Sequence, residues 1–514
     1  EKYLFEFPKA FELKTLGWQR EGFFAFYNCV YNGRLKEYND AGLIQHDEQF
    51  YFSPAASNIY SDMRKDDDLF ENDRKLEYVE SSITFDKWME LMVPVYGEHA
   101  YAGIPYVFVC LFRDIVFKVD NNCPFLYSYG QSKSGKSKFH ESITAIFYKD
   151  LTAFNLNSGT DFAFANRLER GRNVPIPFNE FDDSVVREEW FQALKGVYDG
   201  EGRERGKMGS RRRTEIQKVN GCPILVGQYL STKDDNSMLS RSIMRSFKLQ
   251  HDRPEDQVQA YDQLKIFEKE GITSLITKLL PHRERIEKDY YQHFNTLFKQ
   301  MGKEIRMAKK QYEERVLRNY TALATLYDLF RPHFQFPWDR QQYMDWIRTE
   351  IIQMSSLISE TDILVDFWVT INTLADSMQV SDKHHYKVED TNQVRITVDK
   401  KSTYAVFPEN KRVLYIRLRE VQKIYAMQKR KEGGNPIDWT SLLSYLKNRD
   451  YYLGWVKEIR IGDKIVSAFI FDYDALDLNL VKEVEPASAL TPPADTSQPA
   501  QEDTPKDNPD DLPF

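Results

Sequence analysis

Gly130, Gln131, Ser132, Lys133, Ser134, Gly135, Lys136 and Ser137 carry the spacing of a phosphate-binding loop, two glycines with four residues between them, then lysine and a hydroxyl. Glycines let the backbone curl so that its N–H groups face phosphate oxygens. Lys136 adds a point charge there, Ser137 offers its hydroxyl to Mg²⁺, and Lys138 extends the cationic set. Such a loop must join a strand to a helix. The aromatic run Pro124–Tyr129 suits a buried strand, and Phe139, Ile143 and Ile146–Phe147 recur at near-helical spacing after the loop. A glycine turn that merely caps a helix is the plainer alternative. The expected ligand is a nucleoside triphosphate, ATP with Mg²⁺.

ATP hydrolysis needs an acid at the end of a second strand to polarise the attacking water. Val174–Phe178 is apolar and ends in Asn179-Glu180, so Glu180 is the expected general base, close to Mg²⁺. Asn179 stands where an aspartate usually helps to hold the metal through water, and Asp182 or Asp183 is the substitute if the register differs. A third apolar run, Pro223–Gly227, ends in Gln228, whose amide could sense the γ-phosphate; a core strand that happens to end in Gln is the alternative. Arg241 is expected to begin a helix and to reach a neighbouring subunit's nucleotide, with Arg245 as the alternative. Either could instead serve an internal ion pair. Between the second and third runs lies the densest basic stretch, with Arg203, Arg205, Lys207, Arg211, Arg212 and Arg213 among glycines. It reads as a mobile DNA-contacting insertion, or else as a solvated loop.

The 514 residues suggest several domains. Residues 1–80 read as a strand-rich module and 81–122 as a helical collar. The phosphate-loop core, with a parallel sheet, spans 123–250. Residues 251–378 look helical, with a long helix over 283–331 broken near Gly302. A winged-helix-like module follows at 379–484, and 485–514 form an acidic, Pro-rich disordered tail. The net charge of -8 advertises no nucleic-acid binder, although local basic patches remain. Four cysteines without paired spacing argue for a reducing, cytoplasmic setting and against zinc. The stretch Pro105–Phe117 is too short to span a bilayer and reads as a buried helix. Glu1 in place of Met points to a segment upstream.

The order of these elements resembles the AAA+ replicative helicases of the superfamily-three type, found in phages, poxviruses and mobile genetic elements. Gly130–Ser137, Asn179-Glu180, the Tyr198–Arg213 stretch, Gly227-Gln228 and Leu239-Ser240-Arg241 carry the likeness. Asn179 and Gln228 depart from the commonest residues, Asp or Glu and Asn. The resemblance implies an α/β AAA+ core and a hexameric ring moving on single-stranded DNA and opening forks. The closing Asp510-Asp511-Leu512-Pro513-Phe514 is similar to the acidic tip of bacterial single-stranded-DNA-binding protein, which implies recruitment of host proteins and a native C-terminus. Two other readings stay open: a replication initiator or loader that does not unwind, and a scaffold whose ATPase is impaired by Asn179.

Overall fold

Five parallel strands organise the first part of the chain: β1 (Phe125–Gly130), β2 (Phe154–Asn155), β3 (Pro175–Phe181), β4 (Cys222–Gly227) and β5 (Ser242–Phe247). They lie in the order β5-β1-β4-β3-β2, and every neighbouring pair is parallel. The chain leaves β1 for the far edge, works back through β3 to β4, then crosses to the other side of β1. That reversal beside β1 creates a crevice at the strands' carboxyl ends, where open α/β sheets bind ligands. The computed structural model describes residues 9–60, 70–200, 203–206, 214–217, 219–231, 233–250, 252–398, 401–449, 451–476, 478 and 480.

Local chemistry explains why these runs pair. β1 and β4 are buried over most or all of their length, as strands covered on both faces must be. β3 carries Pro175 and Pro177, which cannot donate to a ladder. Val174 O accepts from Cys222 N on the β4 side, while Asn179 O accepts from Leu156 N on the other side. The prolines therefore face the β2 side, and β2 pairs only from Phe178 onward. On one face Trp190 stacks on Phe164 with centroids 4.6 Å apart, Phe164 packs against Phe178, and Trp190 against Phe154. The helix His99–Leu111 is buried almost throughout. Its Tyr106 hydroxyl donates to Pro124 O at 2.9 Å and Pro223 O at 3.1 Å, tying the starts of β1 and β4.

The N-terminal strands form two small sheets around buried Phe23, Phe24 and Phe26. Gly171–Arg172 pairs in parallel with Leu16–Gly17, so the core chain itself adds an edge to the N-terminal module. Gly17 permits this: its φ is +92°, and a Cβ would lie 2.0 Å from Arg172 O.

The chain divides into two compact units, Glu1–Asp366 and Phe367–Phe514. One apolar core runs from Leu13 to Ile358, so the expected divisions after 80, 122 and 250 fall inside a single core. The division at Asp366 also precedes the expected one at 378. The long helix expected over 283–331 is two helices, Arg283–Met307 and Glu314–Phe330. The break lies after Met307. Gly302 is buried within the first helix, where a Cβ would meet the Tyr312 hydroxyl at 2.9 Å, so glycine there serves close packing.

The second unit holds a four-stranded antiparallel sheet, Tyr386–Val398, Lys401–Ile416, Lys464–Asp472 and Tyr452–Ile461 in spatial order. Helices Leu418–Lys431 and Trp439–Lys447 lie between its second and third strands in sequence. The last two strands turn at Gly462, φ +58°, where the sequence suggests a hairpin. Among the described residues no single helix is long and apolar enough to cross a membrane. His99–Leu111 with Arg113–Asp120 passes only as a pair bent by 86°.

Candidate active site

The loop after β1 is built by backbone constraint. Gly130 has φ +136°, and a Cβ would sit 2.1 Å from Phe247 O on β5. Gly135 has φ +99° with open space around it, so only its left-handed backbone calls for glycine. Lys133, between them, also adopts positive φ. The helix Lys136–Thr144 begins at once, leaving first-turn N–H groups without helical partners.

Lys136 is buried, and its ammonium donates to Gly130 O at 2.6 Å and Gln131 O at 2.7 Å, holding the curl closed on itself. Ser134 Oγ lies 3.4 Å away. Burial pulls the Lys136 ammonium below its ordinary range, and the Glu180 carboxylate opposes that shift. Phosphate oxygens could replace the two carbonyl acceptors with charged ones. Ser137 and Lys138 are exposed; Lys138 is bridged to Glu141 at 2.7 Å. Behind the loop, His140 shares a hydrogen bond with Ser128 Oγ at 2.8 Å. Burial first, then Lys136, pushes the imidazole down to about 3, so it is neutral at working pH.

Glu180 lies within electrostatic reach of Lys136, although 44 residues separate them in sequence (180 minus 136). The β3–β4 register shifts between Phe178 and Phe181, and Glu180 takes φ +56° in that bulge with its side chain exposed. Strain of this kind in a non-glycine residue costs about 1–3 kcal/mol and gathers at functional sites. Asn179 is half-buried next to it. The alternatives are committed elsewhere: Asp182 Oδ1 accepts from Ser184 N at 2.9 Å, and Asp183 Oδ2 from Ser231 Oγ at 2.8 Å. Gln228 O accepts from Gly130 N at 3.2 Å, and the Gln228 side chain is exposed. Gly130, Glu180 and Gln228 thus meet at the carboxyl ends of three adjacent strands. Among the described residues no three His, Cys, Asp or Glu side chains gather as a metal cage. Mg²⁺ carried on phosphates needs few protein ligands, and Ser137 and Glu180 are oxygen donors that suit it.

Arg241 departs from expectation. It follows the helix Lys233–Ser240 rather than opening one, because the chain turns there into β5. Its Nη2 meets Asp199 at 3.2 Å, its Nη1 donates to Ser237 O at 3.1 Å, and its guanidinium lies over Tyr198. Phe125 N donates to Arg241 O, so Arg241 sits at the end of the sheet opposite the loop. Arg245 is an internal partner, paired with Glu350 at 2.8 Å and donating to His99 at 3.2 Å. The basic insertion begins and ends as an antiparallel hairpin, with Arg203 opposite Gln217 and Arg205 opposite Glu215, where the sequence suggests only a loop. Lys207, Arg211, Arg212 and Arg213 lie outside the described residues, as do Asp510, Asp511, Leu512, Pro513 and Phe514.

The cysteines hide a grouping that spacing could not reveal. Cys123 and Cys222 approach to 3.5 Å in the core with Cys110 beside them, and burial raises all three thiols. They lie away from the loop and are inert as nucleophiles.

No family model matches the chain, and no curated protein matches it. Among solved structures it is similar to the SCCmec type IV Cch active helicase: 13% identity, TM-score 0.47, covering 91% of this chain and 80% of that one. It also matches JCV helicase bound to an inhibitor, at 11% identity and TM-score 0.26, over 42% of this chain and 65% of that one. A third match is the apo C-terminal region of NrS-1, at 11% identity and TM-score 0.22, over 72% and 83%.

Proposed function

We propose that this chain is an ATP-driven DNA helicase or translocase that works as a ring. The observation that carries the reading is the meeting of the Gly130–Ser137 loop, Glu180 and Gln228 at one end of a parallel sheet. In this reading Lys136 and the loop N–H groups hold the β- and γ-phosphates, and Ser137 takes one oxygen site on Mg²⁺. Glu180 orients the attacking water and accepts its proton as the water oxygen bonds to the γ-phosphorus and the bond to the bridging oxygen breaks, releasing ADP. Asn179 would accept, through its side-chain carbonyl, a hydrogen bond from a water on that metal. Gln228, exposed beside Gly130, would offer its amide to the γ-phosphate.

A ring would give Arg241 a role beyond its pair with Asp199. Arg241 lies six residues along the chain from Phe247, which pairs with Gly130, and its neighbour Ser242 pairs with Phe125 at the far end. At about 3.3 Å per residue that is roughly 20 Å, beyond the length of an arginine side chain. Any γ-phosphate that Arg241 stabilises therefore belongs to a neighbouring subunit. The hairpin Arg203–Gly206/Thr214–Gln217 lies between β3 and β4 in sequence, and the basic residues of this stretch suit the backbone of a single strand. In the second unit the order strand, helix, helix, then hairpin supports a winged-helix module. The acidic tip Asp510–Phe514 would recruit host proteins to the replication of a phage or mobile element.

The test is strand separation on a forked duplex with ATP. Release of the displaced strand by the native chain, absent in Glu180→Gln, supports a helicase. Assembly on DNA with ATP but no displaced strand transfers the reading to an initiator or loader.

A further inference from the structure

Far from the phosphate loop, a cavity of about 640 Å³ opens where the N-terminal strands meet the core. Arg20, Trp18, Tyr31 and Asn32 line one side, and Arg172 and Asn220 the other. Arg172 begins the chain segment that ends at Glu180, eight residues later, so the cavity lies at the amino end of β3 and the phosphate loop at the carboxyl end.

Two buried polar atoms here have no hydrogen-bond partner, Arg172 Nε and Asn32 Oδ1. One is a donor and the other an acceptor. Asn32 Nδ2 is already committed to His46 at 3.1 Å, which leaves the carbonyl oxygen free. Arg20 and Arg172 form no ion pair with any of the described residues; burial, then Arg20, holds Arg172 below the ordinary guanidinium range. Glu21 acts on Arg172 from beyond ion-pair distance. The third arginine is neutralised, because Arg283 is clamped on Asp114 and lies 3.9 Å from the Trp18 ring centre. Of the remaining acids, Glu287 is bridged to Lys118 at 3.4 Å and Glu284 is exposed. Two guanidinium groups that form no ion pair among the described residues therefore share one cleft with aromatic surface.

Unpaired buried donors and like charges are costly, and fixed structure keeps them where a ligand repays that cost. Paired guanidinium forks suit phosphate oxygens. Trp18, with one face against Arg283, and Tyr31 give the cleft aromatic surface on which a base can stack. We propose that this cleft is a second nucleotide-unit site, in which Arg20 and Arg172 hold the phosphate and the aromatic wall holds the base. The unit comes either from a free nucleotide or from a nucleic-acid strand. The site is independent of the ATPase reading, since it shares no residue with the phosphate loop.

The test uses the full chain carrying Lys136→Ala, which silences the loop. Binding of ADP by calorimetry and of fluorescein-labelled (dT)20 by anisotropy is compared with and without Arg20→Ala plus Arg172→Gln. The expected result is a loss of at least about tenfold in affinity for one probe, with an unchanged thermal midpoint. Loss for ADP identifies a free nucleotide. Loss for (dT)20 alone, with a shallower salt dependence, identifies a strand. Should Arg172→Gln lower the midpoint, Arg20→Glu at its exposed position carries the comparison alone. Affinities for both probes unchanged in Arg20→Glu, or no binding of either probe by the Lys136→Ala chain, overturn the proposal.

Discussion

Replacing Arg241 by alanine separates a structural arginine from one that acts on a neighbour. In the single subunit the side chain is largely buried and meets Asp199 at 3.2 Å and Ser237 O at 3.1 Å. Asp199 is 41% exposed, so solvent screens the pair. The loss in stability is then about 1–2 kcal/mol. The loop is untouched, and ATP should bind with native affinity. Turnover should fall by roughly 10³-fold or more if Arg241 stabilises the transition state of the adjacent site. Mixing sharpens the test. In a ring with head-to-tail interfaces, a site works when its loop comes from an Arg241→Ala subunit and its arginine from a Glu180→Gln subunit. At equal amounts and random assembly that is half times half, about a quarter of native turnover, from two inactive proteins. A coupled-enzyme assay across mixing ratios should trace this as a parabola. No recovery at any ratio, together with the expected stability loss, would leave Arg241 as the partner of Asp199 and nothing more.

Other consequences are quicker to check. Lys136→Ala should abolish phosphate release while leaving the circular-dichroism spectrum unchanged. Gly130→Ala forces a Cβ to 2.1 Å from Phe247 O at φ +136°, and should lower stability by more than about 2 kcal/mol in a denaturant melt. Burial pushes His99 and His140 down to about 3, so the unfolded chain binds more protons below pH 6.5. Their contribution is complete above pH 6.5 and declines towards pH 3, at about 1.4 kcal/mol per pH unit for each histidine; the His99→Gln/His140→Gln chain should show a flatter pH dependence in the same melts. Deleting the last eight residues, 507–514, should preserve turnover while abolishing capture of proteins that dock on the single-stranded-DNA-binding-protein tip; a pull-down with one such purified protein checks this.

What could be read in advance divides by the range of the interaction responsible. The strand, glycine turn and helix over Phe125–Thr144, the strand Pro175–Phe181 and the strand Cys222–Gly227 are local patterns, and the sequence marks each closely. The C-terminal hairpin was equally legible, because Gly462-Asp463 is a turn signal between two apolar runs. Helix ends were less so: Gly302 looks like a breaker, but tertiary packing against Tyr312 decides its role. Arg241 was misplaced by one element, because a short helix followed directly by a strand has little periodicity. The approach of Cys222 to Cys110 and Cys123, and the Arg20–Arg172 cleft, depend on contacts over roughly a hundred residues or more. No local pattern records them.

Steady-state ATP hydrolysis, measured with and without single-stranded DNA on the native chain and on Lys136→Ala, tests the central claim most directly. The account predicts turnover that rises strongly with DNA and vanishes in the variant. Turnover that persists in Lys136→Ala, or a native chain that binds ATP and DNA yet hydrolyses nothing, would contradict it.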